Sequence, residues 1–167
     1  MSDKQVAVVM GSDSDLPVVS ATIDLLKELG IGCEVRVMSA HRTPDDVHAW
    51  ATEAEARGVK VIIAAAGGAA HLAGVIASLT TLPVIGIPME SAALSGIDSL
   101  LSTVQMPSGV PVATVAIGKA GATNAAVLAL QILALSDDEL KRKLTDYKTA
   151  LVEKVKAKDA RVRKQHE

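Results

Sequence analysis

Short, uncharged apolar runs alternate with longer mixed segments along the chain, and that alternation predicts the fold. Gln5-Val6-Ala7-Val8-Val9-Met10 is β-branched and almost wholly apolar, the pattern of a parallel strand covered on both faces. Residues 31–38, 59–65, 82–88 and 110–117 read as four further strands. The segments between them carry helical spacing and helix punctuation. The first helix runs from about Pro17 to Leu29 and stops at Gly30. The second opens on Thr43-Pro44-Asp45-Asp46, with Thr43 as N-cap, Pro44 at the first helical position and Asp46 closing a capping box. It extends to about Arg57 and ends at Gly58. A third helix begins around His71, and the long segment 89–109 contains a helical stretch over 98–105. Gly118-Lys119-Ala120-Gly121 reads as a turn into a nearly uncharged helix from about 122 to 135. Ser136-Asp137-Asp138-Glu139 has the form of a capping box. The helix it opens, about 137–156, shows an apolar stripe at Leu140, Leu144, Tyr147, Leu151 and Val155, and a charged tail continues to residue 167. Strands alternating with helices predict an α/β fold with a doubly wound, five-stranded parallel sheet, helices on both faces and an extra C-terminal helix, in one domain over residues 1–167.

Three strand ends carry chemistry. Gly11-Ser12-Asp13-Ser14-Asp15 follows the first strand, Ser39-Ala40-His41-Arg42 the second, and Gly67-Gly68-Ala69-Ala70-His71 the third. In a sheet of order 2-1-3-4-5 these loops lie side by side, astride the point where the strand order reverses, which is where ligands bind in open α/β sheets. Each has a structural reading when taken singly. Ser14 or Asp15 can cap a helix, and Gly67-Gly68 can serve a tight turn. His71 can pack at the sheet edge, and His41 or Arg42 can face water. Together they offer hydroxyls, a carboxylate, a guanidinium fork, two imidazoles and backbone donors. That set suits a small phosphorylated, sugar-bearing ligand. The first loop has neither the three spaced glycines of a dinucleotide fingerprint nor the Gly-Lys-Ser/Thr of a P-loop. His48, inside the second helix, reads as structural.

Composition narrows the classes. The net charge of −2 provides no basic field for nucleic acid, and aromatic residues make up only 1% of the chain, which removes the stacking platform that grips single strands. The single cysteine, Cys33, allows no internal disulfide and reads as a buried, inert thiol; no structural zinc site is possible, and no His pair has ligand spacing. No run is apolar and long enough to span a membrane, and no leader precedes the first strand, so the expectation is a soluble, cytoplasmic protein. Apolar residues reach 49% in a chain of 167. The uncharged helix near the end therefore suggests burial against other copies of the chain.

Four segments in order are familiar: Met10-Gly11-Ser12-Asp13-Ser14-Asp15, Ser39-Ala40-His41-Arg42-Thr43-Pro44, Ala66-Gly67-Gly68-Ala69-Ala70-His71-Leu72 and Ser91-Ala92-Ala93-Leu94-Ser95-Gly96. With Gln105-Met106-Pro107 and Gly118-Lys119-Ala120-Gly121, they closely resemble the N5-carboxyaminoimidazole ribonucleotide mutases, the PurE family of bacterial purine biosynthesis. The resemblance covers about residues 6–135. It implies a flavodoxin-like fold and a homo-octamer. It also implies interconversion of N5-carboxyaminoimidazole ribonucleotide and 4-carboxy-5-aminoimidazole ribonucleotide without metal or other cofactor. Carried over by motif, His41 is the general acid/base, Ser12 and Arg42 hold the phosphate, and Asp15 takes the ribose hydroxyls. Ser39 belongs to the same substrate site, and His71 with the Gly67-Gly68 backbone surrounds the carboxylate or carbon dioxide. The alternatives are a carboxylase that uses aminoimidazole ribonucleotide and free carbon dioxide, and a non-catalytic nucleotide-binding module of the same fold.

Overall fold

The computed structural model describes residues 4–166. Five strands form one parallel sheet in the order β2-β1-β3-β4-β5. They are β1 (Val6–Met10), β2 (Cys33–Val37), β3 (Val61–Ala66), β4 (Val84–Pro88) and β5 (Ala113–Thr114). The helices are α1 (Leu16–Glu28), α2 (Pro44–Thr52), α3 (Leu72–Ala77), α4 (Ile97–Val104), α5 (Gly118–Leu133) and α6 (Asp138–His166). Two compact units are distinguished, Met1–Ala129 with the whole sheet and Leu130–Glu167 with the end of α5 and all of α6.

The apolar runs became the central strands because only a fully paired backbone can be buried with them. Every residue of β1 and β4 is buried. Ile62, Ile63, Ile85 and Ile87 fill the middle of the sheet, and Trp50, Val47 and Ile76 pack on one of its faces. The edge strands behave differently. In β2, Val35 and Val37 are exposed, and Cys33 is half-buried rather than fully enclosed. Burial still pushes the Cys33 thiol above its ordinary pKa, and Lys4 pulls weakly the other way, so the thiol stays protonated and inert. Glu34 braces this edge: it accepts from Trp50 Nε1 at 2.9 Å and pairs with Arg57 Nε at 3.4 Å.

The structure corrects several sequence-based boundaries. The second helix breaks after Thr52, and Glu55–Arg57 forms a separate 3-10 turn closed by Gly58 at φ +88°. Thr43 does not cap α2 with its side chain, and the expected box with Asp46 is not made. The Thr43 hydroxyl instead accepts from the Ser39 N–H at 3.0 Å and donates to the Ser39 carbonyl at 3.1 Å. At the head of α6 the cap is Asp137, whose Oδ1 accepts from the Glu139 and Leu140 N–H groups at 2.9 and 3.0 Å. Ser136 turns back to the Leu133 carbonyl. The fifth strand shrinks to two residues, because it is a sheet edge and Pro111 lacks a ladder donor. Gly118-Lys119-Ala120-Gly121 is the first turn of α5 rather than a loop before it. α6 continues as helix through the charged residues to His166.

Candidate functional site

Strand register places the three loops at one level. Met10 at the end of β1 pairs with Val37 of β2 on one side and Ala65 of β3 on the other. The next residues extend the pattern: Gly11 N–H donates to the Ala65 carbonyl and Met38 N–H to the Met10 carbonyl, both at 3.0 Å. The chain therefore leaves all three strands at one rim. A cavity of about 400 Å³ opens there. Ser12, Ser14 and Asp15, then Ser39, His41 and Arg42, then Gly67 and His71 contribute to its wall.

Each polar group is held by its neighbours. Ser12 caps the 3-10 turn Asp13–Asp15, accepting the Ser14 N–H, while the Ser14 hydroxyl donates to Ser12 Oγ at 2.8 Å. Asp15 sits at the N-cap position of α1 but makes no side-chain capping bond, so helix capping does not consume its carboxylate. Burial raises the Asp15 pKa above the ordinary 3.8, opposed by a hydrogen bond from the Ser12 backbone and reinforced by Asp13. Arg42 lies folded over the rim: Nη2 donates to the Gly11 carbonyl at 3.0 Å and Nε to Ser39 Oγ at 3.4 Å. Ser39 is thus a brace for the guanidinium, a role its position on the loop did not reveal.

The two imidazoles meet across the cavity. His41 Nε2 and His71 Nδ1 are 2.8 Å apart, with ring planes at 81°. One nitrogen must donate and the other accept, so the contact links the tautomer of one ring to that of the other. Both residues are exposed and line the cavity. A proton placed on either nitrogen is within one hydrogen bond of its partner.

One predicted site residue takes a different place. Gly68 does not line the cavity. Its φ is +64°, and its N–H donates to Ser99 Oγ on α4 at 2.8 Å. That N–H is already committed within the chain, and only Gly67 of the pair faces the cavity. His48 is exposed on α2 and apart from the cavity lining. Among the described residues, no group of three or more His, Cys, Asp or Glu side chains is placed to hold a metal ion. No helix among them is long and apolar enough to cross a membrane.

The profile of the AIR carboxylase family matches residues 5–154. The chain belongs to that family. Its relatives include the N5-carboxyaminoimidazole ribonucleotide mutase of Bacillus subtilis, 58% identical over 141 residues, covering 84% of this chain and 87% of that one. The mutase of Pyrococcus horikoshii is 56% identical over 157 residues, covering 94% and 88%. The crystal structure of Treponema denticola PurE superposes with a TM-score of 0.84 at 30% identity, covering 93% of this chain and 96% of that one. The family resemblance and the flavodoxin-like sheet expected from the sequence therefore both hold. Of the site residues expected from the sequence, Ser12, Asp15, Ser39, His41, Arg42, Gly67 and His71 meet at the cavity and Gly68 does not.

Proposed function

We propose that this chain is a mutase of purine biosynthesis that moves a carboxyl group from the exocyclic nitrogen of N5-carboxyaminoimidazole ribonucleotide to ring carbon 4. The mutases among its relatives support the reaction, and the His41–His71 contact beside Arg42, Ser12 and Asp15 is the observation that carries the residue roles. Arg42 has five N–H donors, of which two are directed at Gly11 and Ser39; the rest remain to clasp a phosphate. Ser12 and Ser14 add hydroxyls, and Asp15 accepts from the ribose.

The chemistry then follows from where protons are needed. The N–C bond of the carbamate breaks, carbon dioxide departs, and His41 supplies a proton to the exocyclic nitrogen. Carbon 4 next attacks the retained carbon dioxide, forming the C–C bond. The same imidazole removes the proton left on carbon 4, so no net proton is consumed. His71 accepts from or donates to His41 as this occurs and keeps its ring aimed. Carbon dioxide must stay near the ring between the two steps, and a small pocket walled by Gly67 and Ala66 keeps it close.

Purified protein is to be given N5-carboxyaminoimidazole ribonucleotide labelled in the carboxyl group, without ATP or added metal. Retention of label in the carbon-linked product supports the mutase. Turnover of aminoimidazole ribonucleotide with bicarbonate alone marks a carboxylase, and binding without turnover marks a non-catalytic module. The same reading includes a cytoplasmic homo-octamer, for which fractionation and light scattering are the tests. Open apolar positions on α4 (Ile97, Leu101 and Val104) and on α6 (Leu151 and Val155) support self-association.

A further inference from the structure

We infer that Ser99 and Ser102 of α4 are positioning residues for the imidazole pair. They act through the backbone of the glycine loop and touch no reacting atom. The inference rests on the reading that His41 and His71 handle the protons of the reaction.

The loop from Gly67 to His71 has little to hold it internally. Two three-residue turns, Ala70 N–H to the Gly68 carbonyl at 2.9 Å and His71 N–H to the Ala69 carbonyl at 2.8 Å, are its own backbone bonds. Bonds spanning so few residues constrain weakly. Two of its N–H groups also reach α4, that of Ala70 being shared with the Gly68 carbonyl. Gly68 N–H donates to Ser99 Oγ at 2.8 Å, and Ala70 N–H donates to Ser102 Oγ at 3.0 Å. The Ser102 hydroxyl lies 2.7 Å from the Asp98 carbonyl and 3.3 Å from the Gly68 carbonyl. Two hydroxyls one helical turn apart thus clamp residues 68 and 70. His71 follows directly, and its ring meets His41.

A serine in this helix needs a reason. Ser99 is fully buried, where an alanine would avoid the desolvation of a hydroxyl. The Gly68 N–H supplies that reason, since Ser99 Oγ accepts from it at 2.8 Å. α4 itself is seated tightly. A side chain at Gly86 of β4 would run into Thr103 Cγ2 and would come within 2.9 Å of Val112 Cγ1. Thr103 in turn donates to the Ser99 carbonyl at 2.7 Å. Sheet, helix, loop and imidazole therefore form one connected path, and the hydroxyls are its link between helix and loop.

The test compares Ser99→Ala, Ser102→Ala, Ser102→Thr and His41→Asn in the full chain. The readouts are kcat and KM for N5-carboxyaminoimidazole ribonucleotide and the ¹⁵N resonances of the two imidazoles. Loss of aim by a fraction of an ångström lowers kcat by roughly 10- to 100-fold in each alanine variant. KM stays within threefold, because the phosphate and ribose contacts are untouched. The imidazole resonances shift, and Ser102→Thr, which keeps the oxygen, recovers most of kcat. Alanine variants within twofold of the unaltered kcat, with unmoved imidazole signals, overturn the inference while His41→Asn still loses turnover. A fully active His41→Asn overturns the underlying reading instead. If Ser99→Ala does not fold, the half-buried Ser102 decides the matter alone.

Discussion

Replacing Arg42 by alanine tests the ligand reading most directly, because the structure states how many donors are at stake. Its Nε and Nη2 each hold one internal acceptor, Ser39 Oγ at 3.4 Å and the Gly11 carbonyl at 3.0 Å. Three of five N–H groups are left, enough for a forked grip on a phosphate. The guanidinium is already fixed by its two internal bonds, so little side-chain entropy is lost when the ligand arrives. A charge-assisted hydrogen bond is worth about 1.5–3 kcal/mol. Two of them at a rim open to solvent come to about 2–4 kcal/mol after screening, or roughly 30- to 700-fold in affinity. The assay is calorimetric binding of aminoimidazole ribonucleotide and of its nucleoside without the phosphate, to the unaltered protein and to Arg42→Ala. The phosphorylated ligand loses that factor, and the nucleoside loses almost none. Arg42→Lys keeps the charge but not the fork, so it falls between the two. Equal losses for both ligands would refute the reasoning, since Arg42 would then be shaping the rim and not reading the phosphate.

Other outcomes follow from the same geometry. His41→Asn binds substrate normally but lowers kcat by about 10²–10⁴-fold, the usual weight of a general acid/base; unchanged turnover in a stopped-flow assay contradicts the role. The raised pKa of Asp15 means that its ionised form is disfavoured in the folded state. Stability from this group is therefore gained as pH falls through the raised value toward the ordinary 3.8 and is absent at neutral pH. Asp15→Asn should melt higher than the unaltered protein at pH 7, with the gap closing on acidification, and should bind ribonucleotide less well; a lower melting point at pH 7 counts against the burial argument. Gly121→Ala forces a Cβ into the Ala116 carbonyl, whereas a Cβ at Gly58 meets nothing within 4 Å and only suffers φ +88°. The first should cost more than about 3 kcal/mol and the second about 1–2 kcal/mol, at roughly 2–4 °C in Tm per kcal/mol. Similar melting points for the two variants would sink the distinction.

What could be read from the sequence was whatever is local. The buried strands are continuous apolar runs, and glycine or polar residues follow where the runs end, so Gly11, Ser39 and Gly67 were visible as exits. The two imidazoles and Arg42 were visible as chemistry, and the 2-1-3 order brought their loops together. Capping was the weak point. Thr43 and Ser136 satisfy the local rule, yet Thr43 is taken by Ser39 and Ser136 by Leu133, while Asp137 does the capping. Such rules assume that a hydroxyl has no better partner, and tertiary contacts supply one. The α4 serines were hidden for the opposite reason. In sequence, Ser99 and Ser102 look like ordinary polar positions of a short helix, and their partners lie 31 and 32 residues away.

The scarcity of aromatic side chains bears on the site as well as on ligand class. Close approach of α4 to β4 requires no side chain at Gly86, and the first turn of α5 requires none at Gly121. At Gly74 a Cβ would stand 2.9 Å from the Met106 side chain. Bulky residues at these points would hold the helices off the sheet, and α4 would then no longer reach Gly68 and Ala70 with hydroxyls as short as serine's. Loose placement of that loop would move His71, and through the 2.8 Å contact would release His41. The small-residue composition, which first appears only as an absence of stacking surface, is in this sense part of what keeps two imidazoles aimed at one cavity.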